Sequence, residues 1–388
     1  MTDLRLKHRL ISVATLAGMS LVTLPALADI EQPEMDNSAY VLMDYNTGAI
    51  LAQKNADEPL PPASLTKMMT SYIIEQRLKS GDLKEDDQVL MSKNAWCRGS
   101  SSQSCMYVPV NKSASVIDML RGIIIQSGND ASKAMAEHIA GSESAFATLM
   151  NEQAAKIGMT NSHFVNATGM PAEGHEASAM DLAKLARAII KDSDNYYSIY
   201  SEKEFTYNGI TQGNRNALLI TDPTVDGLKT GHTDAAGYCL VASSKRNDMR
   251  LISVIMGAGS MQERADQSRE LLNWGFGHFE TVVKAPANQF VAKLPVRFGM
   301  EDTVEVVTAD TLQVLTTKTQ KNKITTVVNI PDNVAAPITK GQKIGEMSAI
   351  LDGKAVATVP VIATQDIEQA GFMSRMWQHV VHWIKDLF

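Results

Sequence analysis

A serine and a lysine three residues apart, Ser64 and Lys67 in Pro62-Ala-Ser64-Leu-Thr-Lys67-Met-Met-Thr70, form the stretch of this sequence best suited to chemistry. Leu65, Met68, Met69, Tyr72, Ile73 and Gln76 recur at helical intervals, which predicts a helix from Ser64 to Leu78. On a helix, residues three apart share a face, so the lysine amine reaches the serine oxygen. A serine hydroxyl is a poor nucleophile at neutral pH and needs a neighbour to take its proton. The prolines before it leave the serine at a helix start, where free N–H groups favour developing negative charge.

Two further elements follow in order, Ser127-Gly128-Asn129 and Lys229-Thr230-Gly231. Each is common by chance. Their order is informative, because the first opens a helix, the second falls in a turn between helices and the third lies on a strand. A second Lys-Ser-Gly, at 79–81, reads only as a helix end.

The elements that must position these groups fall into two domains within 388 residues. Asn46-Thr-Gly48 separates two short apolar runs and predicts a hairpin. Helical periodicity covers 116–125, 131–140 and 143–157, and a Gly- and Pro-bearing loop spans 161–177. Ser178 and Asp181 then form a capping-box pattern before another helix. Strands over 225–233, 238–242 and 251–256 have short connections and predict antiparallel neighbours, and a helix from Gln262 to Trp274 closes this part. The fold class is therefore α/β, an antiparallel sheet with a helical subdomain over 29–282. Short alternating strands dominate 283–370 and predict a small all-β domain, with Asp352-Gly353 as a type I′ turn.

Arg5, Lys7 and Arg9 precede an apolar run from Leu10 to Val22 and then Pro25-Ala-Leu-Ala28, the pattern of a secretory leader cleaved after Ala28. At the other end, 371–388 gathers Phe372, Met376, Trp377, Val380 and Ile384 on one helical face, which suits a helix lying in a membrane interface. The net charge of −7 argues against a nucleic-acid partner. Of three cysteines, Cys97 and Cys105 suit a disulfide in an exported protein, three unpaired thiols being the alternative; Cys239 reads as a buried thiol. No Cys/His spacing suggests a metal, and no cofactor is expected.

With Ser64-x-x-Lys67, Ser127-Gly-Asn129, Asn214-Arg215-Asn216 and Val225-Asp-Gly-Leu-Lys229-Thr-Gly-His232 in place, the chain resembles the penicillin-recognising serine acyl-transferases. Within them it is similar to the low-molecular-mass D-alanyl-D-alanine carboxypeptidases of the penicillin-binding protein 5/6 group. The resemblance implies a β-lactamase/transpeptidase-like fold and removal of the terminal D-alanine from peptidoglycan pentapeptide stems. It also implies covalent capture of β-lactam antibiotics. Ser64 would be the nucleophile, Lys67 the base kept partly neutral by Lys229 and burial, and Ser127 a proton relay between Lys67 and the leaving amine. Asn129 would bind a substrate amide. Lys229 and Thr230, with Arg215 or Arg264, would bind the carboxylate on the strand that contains Gly231. Backbone N–H groups of Ser64 and His232 would hold the oxyanion. Two departures bear on activity: the cysteine-flanked stretch 96–106, and Glu176 where relatives carry an aromatic residue. A β-lactamase is the alternative on the same fold, but no Glu-x-x-x-Asn element occurs in 161–181. A D,D-endopeptidase and a non-catalytic membrane-bound scaffold are the other readings.

Overall fold

A computed structural model describes residues 30–97 and 103–371. The leader expected over 1–28 lies outside them, as does the amphipathic helix expected over 371–388 apart from Gly371. The chain opens with the expected hairpin, β1 (Ala39–Asp44) and β2 (Ile50–Lys54), paired antiparallel. A 3-10 turn, Ala63–Thr66, then precedes α1 (Lys67–Ser80), so the predicted single helix has a tighter first turn. Gly81 ends α1 in the left-handed conformation, at φ 81°.

A small ribbon of β3 (Gln88–Leu90) and β4 (Ser113–Ser115) leads to α2 (Val116–Ile124), α3 (Asn129–Ala140) and α4 (Glu143–Lys156). The loop over 161–177 ends at α5 (Ala179–Asp192). Ser178 caps α5 by accepting from the Asp181 N–H at 3.1 Å. The return half of the box is absent, because the Asp181 carboxylate accepts instead from the Asn161 N–H and the Ser162 hydroxyl at the start of the loop. Next come a 3-10 segment (Asp194–Ser201), the hairpin β5 (Glu204–Tyr207) and β6 (Ile210–Gly213), and the single turn α6 (Leu218–Thr221). Three long strands follow, β7 (Val225–Thr233), β8 (Gly237–Arg246) and β9 (Met249–Ala258), and then α7 (Met261–His278).

The main sheet runs β2-β1-β9-β8-β7. The three late strands are antiparallel neighbours as expected; the join of β1 to β9 is what unites the two ends of this part of the chain. Val41, Met43, Ile252 and Val254 face the helices on one side, in a core with Leu65, Met68, Leu120 and Phe146. Tyr40, Leu42, Leu251 and Ile255 face α7, packing with Leu271, Leu272 and Phe276. Both faces are covered, so β9 reads as one apolar run without alternation. β7 is an edge strand and leaves one side open beside the 3-10 turn.

Strand β10 (Phe279–Ala285) follows α7 directly and pairs with β13 (Leu312–Thr317). A six-stranded sheet takes β11 (Phe290–Arg297), β12 (Thr303–Thr308), β14 (Thr325–Asn329), β15 (Val334–Ala335), β16 (Lys343–Leu351) and β17 (Lys354–Ala363) around a separate core that includes Val306, Ala349 and Val361. Asp352 and Gly353 both have positive φ, at 48° and 77°, as a type I′ turn requires.

A carboxyl lies buried between α1 and the segment after α5. Glu75 accepts from Tyr200 at 2.8 Å and from the Ser193 hydroxyl, and Tyr200 also meets Ser71 at 2.7 Å. Burial pushes the Glu75 pKa up from 4.5 to about 7. The folded state therefore keeps a proton that the unfolded chain loses earlier. Its contribution to stability is full below about 4.5 and is lost as pH rises through about 7. Glu75→Gln should flatten the dependence of Tm on pH between about 5 and 8; an unchanged slope would show that Glu75 titrates normally.

Candidate active site

Ser64 is the second residue of the 3-10 turn, where positions three apart nearly eclipse, and Lys67 begins α1 directly beneath it. Lys67 is 1% exposed. Its Nζ lies 3.1 Å from Ser64 Oγ, 2.7 Å from Asn129 Oδ1 and 2.5 Å from the Thr168 carbonyl. Three acceptors direct the amine at the nucleophile, and none of them is a carboxylate.

Asn129 is the first residue of α3 rather than part of the turn before it. Its Oδ1 is committed to Lys67 and its Nδ2 donates to Gln103 at 3.2 Å. The amide nitrogen carries a second N–H, so a substrate amide need not displace Gln103. Ser127 adopts φ 59°, a left-handed conformation that costs a non-glycine residue about 1–2 kcal/mol. Its Oγ accepts from Lys229 Nζ at 2.9 Å. Ser127 thus stands beside Lys229, and its expected partner Lys67 bonds elsewhere.

Lys229, Thr230, Gly231 and His232 are consecutive on the open edge strand β7. Gly231 is required by close approach: a Cβ there would lie 3.0 Å from the Pro62 carbonyl and 3.2 Å from Ala63 Cβ. The nucleophile turn and the strand are thereby held at backbone contact. His232 is exposed and stacks on Tyr238 with centroids 4.0 Å apart. Arg264, from α7, is buried, donates to the Gly231 carbonyl at 3.1 Å and lies 5.7 Å from the Tyr238 ring. Arg215 is held by its neighbours, Asn214 donating to the Glu202 carbonyl and Asn216 to the Gly227 carbonyl.

These residues enclose a cleft of about 490 Å³ between Ser64, Ser127 and Arg215 on one side and Thr230, His232 and Arg264 on the other, with Gln103, Ser104, Tyr238 and Met261 completing it. Lys67 and Lys229 lie beneath its floor. Among the described residues no carboxylate forms an ion pair with Lys67, Lys229, Arg215 or Arg264. A cleft with surplus positive charge suits an anionic ligand.

Burial lowers the Lys67 pKa from 10.5 to about 7, and the Arg215 charge adds to the effect. Lys229 is likewise lowered well below its ordinary value, by burial first and then by the charge on Lys67. Of the two expected causes burial leads, and the charge beside it is that of Arg215. An amine near neutrality, one hydrogen bond from a serine hydroxyl, can act as a general base.

Several parts of the site have no signature in the sequence. The Thr168 carbonyl is a backbone atom, and Gln103 and Ser104 look like ordinary loop residues. The Asp130 carboxylate accepts from the N–H groups of Met106 and Tyr107, both at 2.8 Å, and so holds the segment after Ser104 on α3. Cys97 and Cys105 are disulfide-bonded with Cα atoms 6.2 Å apart, which resolves the two cysteine readings in favour of the bridge, and Cys239 is a buried thiol. Glu176 is exposed, pairing with His163 only through backbone.

Comparison with known proteins places this geometry in a family. Residues 27–260 match the family model described as D-alanyl-D-alanine carboxypeptidase, and 279–369 match the C-terminal domain of penicillin-binding protein 5. The D-alanyl-D-alanine carboxypeptidase DacA of Escherichia coli K12 is 42% identical over 361 residues, covering 92% of this chain and 89% of that protein. Penicillin-binding protein 5 from Haemophilus influenzae superposes with a TM-score of 0.75 at 39% identity, over 88% of this chain and all of the other. Penicillin-binding protein D2 from Listeria monocytogenes, solved in its cefotaxime-bound form, matches 64% of this chain and all of its own at 28% identity, with a TM-score of 0.58.

If Lys67 is the base, acylation of Ser64 by a serine-directed reagent should rise with pH through a midpoint near 7. A rate still climbing about tenfold per unit at pH 9 would show an ordinary, protonated lysine.

Proposed function

This chain belongs to the D-alanyl-D-alanine carboxypeptidase family, and on that footing we propose that it removes the terminal D-alanine from peptidoglycan pentapeptide stems through an acyl-enzyme on Ser64. It is a serine-type carboxypeptidase, and it binds β-lactams at the same serine. The observation that carries the reading is the buried Lys67 amine, lowered to about 7 and 3.1 Å from Ser64 Oγ.

Lys67 takes the hydroxyl proton as Ser64 Oγ attacks the carbonyl between the last two D-alanines. Backbone N–H groups of Ser64 and His232 receive the developing oxyanion, each such donor being worth about 3 kcal/mol. As the C–N bond breaks, the proton that Lys67 took from Ser64 passes to the leaving D-alanine amine by way of Ser127, which Lys229 holds in place. Arg215 and Arg264, with the Thr230 hydroxyl, bind the departing carboxylate, while the stem peptide lies against the open edge of β7 as an added strand. Water then attacks the acyl-enzyme, with Lys67 again as base, and releases a tetrapeptide. Asn129 holds Lys67 in position. A β-lactam carries its own carboxylate and strained amide into the same cleft.

The sequence of the two ends supports export and attachment to the outer face of the inner membrane, through the leader at 1–28 and the apolar face of 371–388. Among the described residues no helix is long and apolar enough to cross a membrane. A chain lacking 371–388 should fail to sediment with anionic vesicles that retain the mature full-length protein; equal retention would contradict the anchor.

Fluorescent penicillin should label the wild-type protein covalently and leave Ser64→Ala unlabelled. D-alanine release from a pentapeptide should fall in that variant by at least about 1000-fold. An unlabelled wild type, or rapid turnover of penicillin, would contradict a carboxypeptidase.

A further inference from the structure

The 161–177 loop contains a buried histidine that the proposed reaction leaves without a task. His175 is 6% exposed. Its Nδ1 lies 2.9 Å from the Val165 backbone N–H, and an N–H can only donate, so Nδ1 carries the lone pair. The proton is then on Nε2, which donates to Thr66 Oγ1 at 2.8 Å. Only one neutral tautomer satisfies both contacts. Phe164 packs against the ring edge-on, with centroids 6.0 Å apart.

Thr66 is the residue just before Lys67, in the turn that carries Ser64. The same loop places the Thr168 carbonyl on Lys67 and the Ala167 carbonyl on Thr70 Oγ1 at 2.8 Å. At Gly169 it approaches so closely that a Cβ would fall 1.8 Å from the Ala63 carbonyl oxygen. Backbone pairing of Leu60 with Ala177 closes its far end. Between these anchors, the imidazole is a side-chain bridge from the loop to the turn.

We propose that His175 is a positioning residue for acylation. As a neutral imidazole spanning the Val165 N–H and Thr66 Oγ1, it holds the loop against the nucleophile turn and keeps the Thr168 carbonyl on Lys67. The proposal rests on the serine-acylation reading above. Burial and the charges of His163, on the same loop, and Lys67, on α1, lower the His175 pKa to about 4. Glu143, from α4, faces the loop at the Ala167 N–H, and Glu176 is exposed. A protonated ring would present a second N–H to that of Val165 and break the bridge.

The test is the second-order rate of fluorescent-penicillin acylation of the full chain across pH, after wild-type labelling has been established. No labelling of the wild type would sink the functional reading by itself, before His175 is touched. Given labelling, His175→Leu should acylate about 10- to 100-fold more slowly, the loss expected for a broken buried hydrogen-bond bridge. Its acid limb should move to higher pH as water reaches Lys67. His175→Gln can accept from Val165 and donate to Thr66, so its rate should stay within about threefold of wild type with the limb unmoved. If His175→Leu does not fold, Thr66→Val removes the acceptor while keeping the ring, and should slow acylation in the same direction. Wild-type rates and limb in His175→Leu or Thr66→Val, or a folded His175→Gln as slow as His175→Leu, would overturn the proposal. So would a doubly protonated His175 ring in the nitrogen NMR spectrum at pH 6.

Discussion

The site depends on one buried amine. Lys67 is removed from water and given three neutral acceptors, Ser64 Oγ, Asn129 Oδ1 and the Thr168 carbonyl. Those bonds fix its direction but do not offset the loss of hydration as a carboxylate would, so the charged form is disfavoured. Each acceptor comes from a different segment: the 3-10 turn, the start of α3, and the loop before α5. The fold around the cleft can be understood as what brings these three segments together in the absence of water.

The surrounding charges serve the same end. Arg215 and Arg264 add positive charge without an ion-pair partner among the described residues; that of Arg215 disfavours protonation of Lys67, and both prepare the cleft for a carboxylate. When such a ligand arrives, it supplies the missing negative charge and would favour a protonated Lys229 beside Ser127. The backbone contact at Gly231 keeps the edge strand and the nucleophile close enough for one extended substrate to meet both. Where the chain adopts left-handed backbone at Ala63 and Ser127, beside the nucleophile and at the second serine, local conformational energy is set against placement of the two hydroxyls.

Much of this was legible in the sequence, for physical reasons. Ser64, Lys67, Ser127, Asn129 and Lys229 declared themselves through spacing and setting, and the structure brings them around one cleft. The β1–β2 hairpin and the type I′ turn at Asp352-Gly353 followed from local turn chemistry. Three things did not. The pairing of β1 with β9 is a long-range choice with no local marker. The Thr168 carbonyl is a backbone group that any residue would offer, and His175 is visible as a residue but not as a bridge until the loop is folded. The Ser178 capping pattern is a smaller instance: the cap formed, but Asp181 turned to Asn161 and Ser162 because the loop start lies within reach.

Burial holds Lys67 poised between its two protonation states at neutral pH. This is tested most directly by the carbon and nitrogen NMR titration of that side chain in the ligand-free protein, its resonance assigned by loss in Lys67→Arg. The midpoint should fall near 7. A midpoint near the ordinary value of about 10.4 would contradict it.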